Sequence, residues 1–76
     1  MSHGYSVRLV EAIKGADAKL IGVRLGRMCL RHDVSVVKVA EALGVSRQTI
    51  YHWFSGIREP NPSKHDKIKA FIDSLG

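Results

Sequence analysis

Arg47, Gln48, Tyr51 and His52 form two pairs at the four-residue spacing of a helix face, 47 with 51 and 48 with 52. An Arg guanidinium offers a planar fork of donors, and a Gln amide both donates and accepts. Those groups match the edges of nucleic-acid bases: Arg bonds guanine O6 and N7, and Gln bonds adenine N6 and N7. Each good pair discriminates by ~1–3 kcal/mol. Thr49 adds a hydroxyl for phosphate and a methyl for thymine. Tyr51 and His52, one turn further on, reach base edges or backbone. Plain solvent exposure is the competing role for all four. Ser46, just before them, and Lys64, further along, carry groups suited to phosphate, Lys64 with help from a helix dipole. Residues 42–58 contain Arg47 and Arg58 and no acid, so the field over this face is positive. Arg24, Arg27 and Arg31 also share a helical face. A solvated face is the expected role there and a phosphate stripe the alternative.

Two helices joined by a tight turn must position these side chains. Val36, Val39, Ala40 and Leu43 recur at 0, +3, +4 and +7, one face of an α-helix over 36–43. Gly44 accepts the left-handed conformation that leaves a helix, Val45 plugs the turn, and Ser46 caps the next helix through its hydroxyl. Ile50, Trp53 and Phe54 repeat the buried spacing over 47–54. This is the layout of a helix-turn-helix, whose second helix can enter the DNA major groove. Trp53 is expected in the core or at the groove edge rather than as a stacking platform.

The flanking sequence supplies three further helices. Tyr5, Leu9, Ala12 and Ile13 share a face, with Gly15 ending that helix and Asp17 capping the next. A helix over 18–32 buries Ile21, Leu25, Met28 and Cys29. Leu20, Val23 and Leu30 widen its apolar surface, to be covered by the first helix or by a second subunit. Gly22 and Gly26 each cost this helix about 1 kcal/mol relative to Ala. Close approach of another helix explains such a pair, although Gly22 is also explained by its place near the helix start. Gly56 stops the helix over 47–54, and Pro60 and Pro62 hold 55–62 as a loop. The last helix runs from Pro62 or Ser63 to about Ser74. Either Ser63 and Asp66 form a capping box, or Asn61 caps with Pro62 in the first position. Ile68, Phe71, Ile72 and Leu75 give it a core face. The fold class is therefore all-α, about five helices: a domain over 18–76 preceded by an extension over 1–17.

Composition limits the alternatives. With 76 residues the chain is one small domain, and 45% hydrophobic residues make it globular rather than disordered. A net charge of +5 favours a polyanionic partner. One cysteine excludes an internal disulfide, no apolar run approaches the ~20 residues of a membrane span, and the N-terminus lacks a secretory pattern. His32, His52, His65 and Cys29 lack metal-ligand spacing, and neither a Gly-rich phosphate loop nor a nucleophile motif occurs. No enzyme activity, cofactor, metal, membrane or small-molecule substrate is expected, and the bacterial or phage-infected cytoplasm is the simplest location.

Taken in order, Ile21-Gly22-x-Arg24-Leu25, Ser35, Val39-Ala40-x-x-Leu43-Gly44-Val45-Ser46, Ile50-x-x-Trp53-x-x-Gly56 and Pro62-Ser63 resemble the lambda-repressor-like family of phage repressors, Cro proteins and bacterial regulators. The resemblance runs from about Ile21 to Leu75. It implies a compact helical domain whose third core helix reads DNA, usually as a dimer on a two-fold site. It also implies that the loop after Gly56, with Arg58 and Asn61, holds the DNA backbone by main-chain N–H groups and side chains. Many members carry a buried Arg–Glu pair where Cys29 and Phe54 stand here, so an apolar contact between these two is expected. Val36 replaces a Gln that often contacts phosphate. Trp53-Phe54 is similar to homeodomains as well, but their invariant Asn would fall on Gly56, and a further helix follows; that assignment is rejected.

The expectation is a sequence-specific double-stranded DNA-binding transcriptional regulator, repressor- or Cro-like, acting as a homodimer. The wide helix over 18–32 and the N-terminal helix are the candidate interface. The alternative is a protein-interaction or assembly module, antitoxin-like or a phage packaging component, using the same fold.

Overall fold

Three serines set the starts of three helices. Ser6 Oγ accepts from the Leu9 N–H, Ser35 Oγ from the Lys38 N–H and Ser46 Oγ from the Thr49 N–H, each at 3.1 Å. A cap of this kind stabilises its helix by ~1 kcal/mol, because it gives a partner to an N–H that the helix itself leaves unpaired. The computed structural model describes residues 5–76. The helices are α1 (Val7–Gly15), α2 (Ile21–Arg31), α3 (Val36–Leu43), α4 (Arg47–Phe54) and α5 (His65–Leu75), the last entered through a short 3-10 turn over Pro62–Lys64. Among the described residues there is no strand.

One helix start differs from expectation, and a second takes one of the two forms expected for it. α2 begins at Ile21 rather than 18, because the Asp17 carboxylate closes a local turn, accepting from the Lys19 N–H at 2.9 Å. Asp favours such turns as readily as caps. At α5, Asn61 Oδ1 accepts from the Ser63 N–H at 3.1 Å and Pro62 follows in the first position, so the Ser63–Asp66 capping box does not form. The fixed φ of proline and its missing N–H suit that position.

α2 is the central element, packed against α1, α4 and α5. Its two glycines make the contact with α4 possible. A Cβ on Gly22 would lie 2.7 Å from the Trp53 carbonyl oxygen, and one on Gly26 would lie 2.8 Å from Phe54 Cγ. Both distances are below van der Waals contact, so Gly22 is there for packing and not for its place near the helix start. Every helix contributes to the core, with Ile13, Leu25, Val39, Ile50 and Ile68 fully buried. Cys29 and Phe54 are fully buried in the same cluster. Of the residues that widen the surface of α2, Val23 is covered completely within the chain, while Leu20 and Leu30 are half-buried.

α1 is fixed to this core at both ends. Tyr5, just ahead of it, lies near-parallel to Phe54 with ring centroids 6.3 Å apart, and its hydroxyl donates to the Val34 carbonyl at 2.9 Å. Burial raises the Tyr5 pKa above its ordinary value. At the other end, Arg27 donates to the Lys14 and Ala16 carbonyls at 3.0 and 3.3 Å. Arg27 is thus a clamp on the C-terminus of α1, whereas Arg24 and Arg31 are solvent-exposed.

Candidate nucleic-acid interface

The turn before α4 is built by backbone. Gly44 adopts φ 69°, the left-handed region that a side chain would strain, and nothing else crowds it. The Val45 N–H then reaches the Ala40 carbonyl at 3.0 Å, closing the end of α3. Ser46 and Thr49 hydroxyls lie 2.9 Å apart, so both side chains already take part in the start of α4. On the inner side Ile50, Trp53 and Phe54 are buried, and Trp53 retains only 6% exposure. Rotation of α4 about its axis is thereby prevented, and the outer side is defined. Arg47, Gln48 and Tyr51 are exposed there, while Thr49 and His52 are half-buried.

A groove lies on either side of this outward edge. One is lined by Gln48, Thr49, His52, Trp53, Arg58 and Glu59. Glu59 is one residue beyond the acid-free window of 42–58, and it places a carboxylate beside the candidate base-contacting residues. Extending the charge count by one position would have found it. The second groove is formed with α1, where Arg8, Leu9 and Ala12 face Tyr51, His52 and Ile57.

In the loop after α4, two of the main-chain donors are engaged within the chain. Gly56 takes φ 79° and the chain turns back, so the Ile57 and Arg58 N–H groups both donate to the His52 carbonyl, at 3.0 and 3.3 Å. Those two main-chain donors are engaged internally and not directed at a ligand. The Arg58 side chain remains exposed. Asn61 is exposed with its Oδ1 engaged as a cap, which leaves its amide NH2. Lys64 is half-buried and its ammonium donates to the Leu43 carbonyl at 3.4 Å, bridging the start of α5 to the end of α3. His65 Nε2 lies 3.2 Å from the Pro60 carbonyl and holds the loop from below. Of the candidate residues, Ser46, Gln48, Thr49, His52 and Arg58 share the first groove and Tyr51 and His52 line the second, whereas Lys64 lies against the end of α3.

Residues 23–68 match the model of a helix-turn-helix family, which is more than half of the chain. The chain belongs to that family, the lambda-repressor-like helix-turn-helix proteins. Membership makes it a DNA-binding domain of the regulator class. No curated protein and no solved structure matches it. Among the described residues, no cluster of His, Cys, Asp or Glu is arranged to hold a metal, and no helix is long and apolar enough to cross a membrane.

Proposed function

We propose that the protein is a sequence-specific duplex-DNA-binding regulator, repressor- or Cro-like, that inserts α4 into the major groove. Arg47 and Gln48 at the start of α4 read base edges, with Tyr51 and His52 one turn behind them. Ser46, Thr49, Arg58, Asn61 and Lys64 contact the backbone, Lys64 from its position against α3. The observation that carries this reading is the outer edge of α4, which is polar, carries no acid of its own although Glu59 of the loop lies beside it, and is fixed by three buried residues on the opposite side. An edge used only to bind another protein would be expected to carry more apolar residues, so the interaction-module reading is less well supported. A homodimer placing two α4 helices ~34 Å apart on a two-fold site completes the proposal.

Selection of bound sequences from a random duplex pool tests it directly. A palindromic consensus is the expected result. Absence of binding at low salt, or equal recovery of all sequences, would return the fold to the interaction-module reading.

A further inference from the structure

The groove between α1 and α4 shares Tyr51 and His52 with the edge of α4, but its α1 wall has no role in the function proposed above. Leu9 and Ala12 of α1 and Ile57 of the loop give it an apolar floor, and Ile57 is 70% exposed. Arg8, Tyr51 and His52 line it as well, and no acid does. Arg8 is exposed and makes no hydrogen bond or ion pair among the described residues. A DNA strand alternates deoxyribose, which can lie against an apolar surface, with phosphate, whose oxygens accept from guanidinium, phenol and imidazole donors. The groove has that same mixture of surfaces. It is also continuous with the base-facing edge, because Tyr51 and His52 belong to both. α1 lies outside the family match over residues 23–68.

We propose that the groove between α1 and α4 takes the sugar–phosphate backbone of the duplex that α4 enters, with Arg8 as an added phosphate contact. This rests on the DNA-binding reading and extends its footprint to a helix outside the family match. A second copy of the chain would also cover the apolar floor. The unopposed positive charge and the continuity with α4 favour the DNA strand.

The test uses the full chain, the duplex selected from the random pool, and Arg8→Gln. Affinity is read by fluorescence anisotropy against salt, with unrelated duplexes and with duplexes carrying single neutral methylphosphonate linkages. Arg8→Gln should melt like the parent and weaken binding to all sequences alike. It should also flatten the salt dependence by about one phosphate, so that going from 50 to 200 mM salt costs on the order of 3-fold less affinity than in the parent. One neutral linkage should weaken the parent while leaving Arg8→Gln unaffected. An unchanged salt slope, with Arg47→Ala still impairing binding, overturns this inference and leaves the DNA reading standing. Loss of self-association in sedimentation, with DNA binding intact, overturns it in favour of a second copy. A parent that binds no duplex overturns both.

Discussion

At the scale of single residues, specificity is proposed to lie on the outer edge of α4 and affinity around the loop. Arg47 and Gln48 are exposed, so replacing either with Ala should leave the fold intact and relax selection at one base pair by ~1–3 kcal/mol. Repeating the pool selection with each variant checks this, and an unchanged consensus counts against a base contact. Arg58→Gln should weaken binding to all duplexes and lower the salt slope by about one. Cys29 is a different kind of residue. Burial pushes its thiol up to about 12, so the folded state keeps the proton that the unfolded chain releases near pH 9. Stability from this group is therefore complete below pH 9 and declines as pH rises from there towards 12. Cys29→Ser, tested by chemical denaturation from pH 7 to 10.5, should be less stable at neutral pH and show a shallower loss at high pH. Thiol reagents should modify the parent only as it unfolds.

At the scale of elements, the α2–α4 contact depends on two missing side chains. Gly22→Ala and Gly26→Ala place a methyl within 3 Å of Trp53 and Phe54 respectively, and each should destabilise by ~1–3 kcal/mol despite improving helix propensity. Gly15, which has nothing within 4 Å of a built Cβ, is the control, and Gly15→Ala should be close to neutral in thermal melting. Several elements were legible in the sequence because their determinants are local. Ser35, Gly44 and Ser46 fix α3 and α4 within a few residues of themselves, so their bounds of 36–43 and 47–54 could be read directly. Asp17 could not be read so well, since the same carboxylate serves a turn or a cap and only the packed chain selects one. The carbonyls that Arg27 holds lie on another helix, so no spacing rule reveals them. The inward-facing N–H groups of the loop depend in the same way on where Gly56 sends the backbone. For the candidate site, the exposed edge was readable from periodicity, whereas Glu59 and the α1 wall of the second groove become apparent only when the helices are assembled.

At the scale of the whole molecule, α1 is part of the core even though the family match begins at residue 23. Ile13 is fully buried, Tyr5 packs near Phe54, and Arg27 ties α1 to α2. Removing residues 5–16 should therefore unfold the domain, not merely change its oligomeric state. Circular dichroism of the shortened chain checks this, and a cooperative melt near that of the parent would refute it. Among the described residues, Val7, Val37, Tyr51 and Ile57 are the large exposed apolar ones. One carbonyl has a wider effect than its size suggests. The oxygen of His52, on the helix proposed to read bases, also anchors the backbone of Ile57 and Arg58. α4 and the backbone of Arg58 are geared together through that atom, so any change that tilts α4 moves Arg58 with it. Evolution of a new target site is then easier by exchanging side chains on an unmoved helix than by reorienting the helix itself.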